Sequence, residues 1–260
     1  MISLKNFWKK RQLFLKSVSI EMRVQHAGTV LGLAWIILGP MMLLSLYGVI
    51  YAVVFNIRLP NFTQAEYVLN VFSGLVLFLA FSQAMTASTN SLFKEQKLIF
   101  SNFPAEFISA KAVAVAYIVL LPATIFVIIG DLLLSKPSWH LLLLPVVALF
   151  QLFFSIGLGY FLALLGLVMR DITFFIQYIV IALLVVTPIA YTPDMIPNSI
   201  RPLLYINPLY YFVSANQHFI LMNQFPPLFE VVLGMFLSLF MLFFGSWVFK
   251  RARLAMMDLL

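Results

Sequence analysis

Apolar stretches follow one another along the chain at residues 30–55, 68–92, 108–130, 140–169, 172–191 and 229–249. Each reaches the ~20 residues a helix needs to cross about 30 Å of hydrocarbon. The pattern predicts six transmembrane helices. Only Arg170 and Asp171 part the fourth from the fifth, so a tight turn is expected there, with merging or splitting of the pair as the competing reading. The two charged residues are assigned to stabilising that turn.

Three further segments frame the spans. In the first, residues 1–28, Leu4, Phe7, Trp8, Leu13, Phe14, Val18 and Met22 recur at three- and four-residue steps among Lys5, Lys9, Lys10, Arg11, Lys16 and Arg23. That spacing predicts an amphipathic helix in the inner headgroup layer, against a disordered basic tail. The second, 92–107, predicts a short amphipathic helix from Leu92 to Phe100, followed by Phe103-Pro104-Ala105-Glu106. The third, 192–228, stays apolar although Pro193, Pro197, Pro202 and Pro208, with Pro188 just ahead of them, break the backbone. Two helices of about ten to fourteen residues are expected there. They dip into the outer face of the membrane domain, where broken backbone needs protein or water around it; an outer loop resting on lipid is the plainer alternative.

Composition settles the solvent. The chain is 63% hydrophobic and 10% charged, with mean hydropathy +1.04, where a soluble domain carries roughly 25% charge. The reading is one all-α integral membrane domain over 1–260. The basic stretch to Arg23 and the long apolar run behind it do not resemble a cleaved signal peptide. Cysteine is absent, which excludes disulfides and thiolate chemistry. No internal repeat divides the chain.

The net charge of +7 reads as topology rather than nucleic-acid binding. With the N-terminus inside, thirteen Lys and Arg fall on the inner side: the six of the first segment, Lys94, Lys97, Lys111, Arg170, Lys250, Arg251 and Arg253. Arg58, Lys136 and Arg201 fall outside. Both termini are expected in the cytoplasm, and the basic segments touch anionic lipid.

The chemistry is sparse. No G-x-x-x-x-G-K-[ST] or H-E-x-x-H motif occurs, and His26, His140 and His218 lie far apart. No catalytic residue and no metal ligand is assigned. Ionisable residues sit at span edges (Glu66, Asp131, Arg170, Asp171, Glu230), and the mid-span polar residues Gln83, Gln151 and Gln177 are neutral. Ion-coupled carriers keep charges in mid-span, so a transporter built this way draws its energy from a partner. Lys94, Glu95, Lys97, Phe103, Pro104 and Glu106 are the candidate contact for it. Tyr47, Tyr51 and Phe55 share a helix face, and Phe72, Phe78, Phe81 and Tyr191 crowd nearby elements. Such aromatics line a sugar path or mark a membrane interface. Tyr205, Tyr210 and Tyr211 crowd the outer segment.

Several short pieces, in order, resemble the permeases of type-2 ABC exporters of O-antigen, capsular polysaccharide or teichoic acid. They are Thr29-Val30-Leu31-Gly32 with Trp35 and Pro40, Leu98-Ile99 with Phe103-Pro104-Ala105-Glu106, Arg170-Asp171, Thr187-Pro188-Ile189-Ala190-Tyr191, and Asn207-Pro208. The resemblance spans nearly the whole chain. It implies a homodimeric permease in the bacterial inner membrane, bound to two copies of a separate ATPase that holds ATP and Mg, with no cofactor in this chain. It implies that residues 1–28 and 92–107 contact the ATPase and that the short helices of 192–228 form an outer gate, with Pro193, Pro197, Asn207, Pro208, Tyr210 and Tyr211. The implied cargo is a glycan, lipid-linked or capsule-type. A permease exporting a drug or lipid is the alternative within the class, and a membrane-embedded transferase would need the clustered acids or histidines that this sequence lacks. One departure stands out: where the family commonly has a basic–aromatic pair, this chain has Gln25-His26.

Overall fold

The computed structural model describes residues 4–54, 63–100, 103–134, 138–199 and 201–259. All the regular elements among them are helices. Helix α1, Leu4–Gln25, carries the basic segment. Helix α2, Trp35–Val49, contains Pro40 and runs into a π-helical turn at Ile50–Val54. Helix α3, Gln64–Lys94, is the long central helix. Thr63 caps it: its hydroxyl accepts from the Glu66 N–H, and the Glu66 carboxylate accepts from the Thr63 N–H at 2.7 Å. Helix α4, Gln96–Phe100, is one turn. The expected helix over 92–100 is therefore divided, because Leu92 to Lys94 complete α3 and Glu95 leaves helical geometry at φ −112°, ψ 30°.

The third stretch is two helices, α5 (Ala105–Val119) and α6 (Leu121–Leu134), parted at Leu120. Pro122 has no N–H to give the Ile118 carbonyl one turn back, and its ring crowds that turn. Helix α7, Leu144–Val168, follows a 3₁₀ turn at Trp139–Leu143. Helix α8, Ile172–Val186, comes after the Arg170-Asp171 turn. Beyond it lie a 3₁₀ turn at Pro193–Met195, α9 (Pro202–Ile206) and α10 (Pro208–Gln217), which continues as a π-helical turn at His218–Met222. Helix α11, Leu228–Leu259, closes the chain.

Five helical stretches are long and apolar enough to cross a bilayer: Gly32–Val49, Gln64–Lys94, Ala105–Leu134, Trp139–Val168 and Leu228–Ala252. The expected sixth, 172–191, stops at Val186, and its 15 residues reach only ~22 Å. Pro188 is the cause, since it pushes Thr187 to φ −77°, ψ 127°, outside the helical region. The two outer helices also differ from expectation. Pro208 forces Asn207 extended and ends α9 after five residues, whereas α10 with its π turn is the longer one.

Helices α3, α5, α7 and α10 form the core. Helix α3 is buried along most of its length. Small residues on α7 allow its neighbours to approach it at backbone distance. A Cβ on Gly157 would lie 2.0 Å from the Met241 carbonyl of α11, and one on Gly166 would lie 1.9 Å from the Thr89 carbonyl of α3. The outer faces of α2, α8 and α11 instead expose large apolar residues such as Met42, Phe174, Tyr178, Phe240 and Trp247. Apolar surface of that extent needs lipid or protein against it.

Candidate functional site

At the end of the bundle where α1 packs, one lysine organises three elements. Lys111 of α5 is 4% exposed. Its ammonium donates to Glu21 of α1 at 2.9 Å and to Glu95 at the end of α3. Phe14 of α1 meets Phe107 of α5 edge to face at 5.4 Å, and Phe107 meets Phe103 in the same way at 6.1 Å. An ammonium removed from water is stable only when paired, so this triad fixes α1 and the α3–α4 corner to α5. The candidate contact residues divide accordingly. Lys94 and Lys97 are exposed, beside the exposed apolar Phe93 and Leu98. Glu95 faces inward to Lys111, Phe103 is half-buried, and Pro104 occupies the N-cap position of α5 with Glu106 in its first turn. Arg170 lies over the Phe93 ring at 4.3 Å, and Thr173 donates to Asn90 at 2.8 Å, so the α7–α8 turn is fastened to the same corner. The Asp171 carbonyl accepts from the Phe174 N–H, while its side chain makes no cap bond.

Sequence reasoning missed Lys111 and Glu21 as partners. The signal was present: Glu21 is the one acid in a basic helix, and Lys111 is the one charge in the run 108–130.

The aromatic candidates separate into two groups. Tyr47 and Tyr51 stack at 6.2 Å, and Tyr51 meets Tyr67 edge to face at 6.4 Å. Tyr67, which the pattern did not single out, donates to the Ala190 carbonyl at 2.8 Å. Tyr191 donates to the Val186 carbonyl at 2.8 Å. Phe72, Phe78 and Phe81 are instead buried within the bundle. Phe72 packs on Phe126 of α6 and beneath Gly48, while Phe81 stacks on Phe154 of α7. Phe55 lies outside the described residues.

The opposite end is tied by neutral hydrogen bonds and one carboxylate. The Asn207 amide donates to Thr187 at 2.8 Å, and its carbonyl accepts from the Leu209 N–H, capping α10 ahead of Pro208. Tyr210 and Ser214 of α10 donate to the two oxygens of Glu230 at 2.7 and 2.8 Å. Tyr211 donates to the Tyr205 carbonyl at 2.6 Å. Asn216 donates to the Ser73 carbonyl at 3.0 Å, and Gln217 to Ile189 at 3.0 Å. Helix α10 thereby joins α3, α11 and the chain after α8. Pro193 opens the 3₁₀ turn, and the Pro197 carbonyl accepts from the Arg201 N–H. Glu230, read from sequence as an edge charge, is 7% exposed and anchors α10 to α11.

Apolar helices of spanning length and large exposed apolar and aromatic surfaces define a multi-pass membrane protein. The profile of the ABC-2 type transporter family matches residues 13–221. The chain belongs to that family, a family of transporter membrane components. It is 25% identical over 255 residues to the O-antigen export system permease protein RfbA of Myxococcus xanthus, covering 96% of this chain and 95% of that one. It is also 28% identical over 193 residues to a protein of the same name from Klebsiella pneumoniae, covering 73% and 72%.

Proposed function

We propose that this chain is the permease subunit of an ATP-driven exporter that carries a polysaccharide across the bacterial inner membrane. The observation that supports this best is the near end-to-end match with an O-antigen export permease, on top of the family match. In this reading two copies form the conduit, and two copies of a separate subunit bind ATP and Mg and supply the work. A two-fold assembly doubles the wall available to a polymer. The exposed pair Lys94 and Lys97, with Phe93 and Leu98, is the docking face for the ATPase. The Lys111 triad carries its movement into α5 and α1. Both termini are cytoplasmic, α8 is the sixth crossing, and α9 and α10 are re-entrant elements of an outer gate.

The test is reconstitution in liposomes. With its ATPase the chain should move a glycan in an ATP-dependent manner, and alone it should move none. Amine crosslinks from Lys97 should reach the ATPase. Flux driven by an ion gradient from the chain alone, or crosslinks that never reach an ATPase, would overturn the reading.

A further inference from the structure

A cavity of about 510 Å³ lies between α3, α5, α6, α7 and the α10 end. It opens between α6 and α7, beside Leu121, Ile125 and Leu149. Val76, Leu77, Ala80, Ile118, Ala148 and Leu152 are among its apolar walls. Four polar side chains also border it, and each is already engaged. Ser73 donates to the Asn70 carbonyl at 2.7 Å, Tyr117 bonds Ser155 at 2.8 Å, Thr124 donates to the Leu120 carbonyl at 3.2 Å, and Asn216 donates to the Ser73 carbonyl at 3.0 Å. None of the lining residues is charged. A sugar or a headgroup would therefore find few polar partners and no charge here.

The cavity lies at hydrocarbon depth. Ser73 is about 14 Å along α3 from Gln64 at 1.5 Å per residue. At the mouth, Leu121, Ile125 and Leu149 are 52%, 54% and 45% exposed, facing what a bilayer supplies. Its mostly apolar wall offers water few partners, and left empty it would forfeit much packing. We infer that it holds one acyl chain of a membrane phospholipid, entering between α6 and α7 with its headgroup left outside. Asn216 and Ile220 form part of the wall, so the chain supports the α10 end and sets its position. The inference does not rest on the exporter reading.

Native mass spectrometry of the purified full chain, after exchange into a detergent that strips loosely held lipid, tests it. The wild type should keep one phospholipid per chain. Ala148→Phe and Ala114→Phe, which fill the cavity from facing walls, should lower the lipid-bound fraction about tenfold and still elute as a single gel-filtration species. If the phenylalanines prevent folding, Ala148→Leu should give a smaller loss in the same direction. Retention of no lipid by the wild type, or equal retention by the folded variants, would overturn the proposal. So would a retained isoprenoid in place of a phospholipid. So would a disulfide between two chains through Ala148→Cys, since the chain has no other cysteine and a second copy would then occupy the mouth.

Discussion

The two ends of the bundle are held by different physics. At the α1 end, one buried ammonium is shared by Glu21 and Glu95 from two other elements. At the α10 end, uncharged donors span the same kind of gap: Asn207 to Thr187, Asn216 to Ser73, and Tyr210 and Ser214 to Glu230. The contrast is one of tolerance. An ion pair out of water loses heavily when one partner goes, because the other charge is stranded. Neutral hydrogen bonds such as those of Asn207 and Asn216, worth about 1 kcal/mol each, can be broken and remade step by step, and Glu230 is the one charge at that joint whose donors must stay. In the proposed exporter, the α1 end would then move as a block and the α10 end would be the one to open.

Substitutions can break or sharpen this comparison. The largest effect is expected where both ends share a support. Gly157→Val puts side-chain atoms into the Met241 carbonyl of α11, and no folded chain should be recovered from membranes by gel filtration. Next, Lys111→Met should cost about 3–5 kcal/mol, read as a lowered thermal transition of the purified protein. Adding Glu21→Gln and Glu95→Gln removes the stranded carboxylates and should recover most of that loss. If the triple variant is no better than the single one, the joint is not ionic. Tyr210→Phe should cost less, about 1–2 kcal/mol, and should raise hydrogen exchange in α10 while leaving α1 unchanged. Thr63→Ala, at the cap of α3, should cost about 1 kcal/mol and affect neither joint.

Much of this architecture was legible because the bilayer imposes length and apolarity on each crossing. The basic helix and four of the long crossings fall close to their expected positions, and the 108–130 run proves to be α5 and α6 broken at Leu120. What escaped was geometry set by single residues. Pro188 shortens α8, and Pro208 divides the outer segment unevenly, because a window of hydropathy does not register a missing N–H. Lys111 and Glu230 were visible as charges, but their partners stand 90 and 20 positions away at Glu21 and Tyr210. Spacing along one chain cannot pair residues that only packing brings together. The inward turn of Glu95 follows from the same limit. Phe72, Phe78 and Phe81 read as one aromatic group, yet only their helix rotation decided that they lie inside the bundle.

The brevity of α8 has a consequence for the lipid itself. With α8 as the proposed sixth crossing, a helix reaching ~22 Å would sit in a layer whose oily part is about 30 Å deep. The mismatch is met by thinning the bilayer at that face or by sinking the polar chain after Val186 below the surface. Either way, such a crossing would lower the electrostatic barrier to hydrated matter alongside α8.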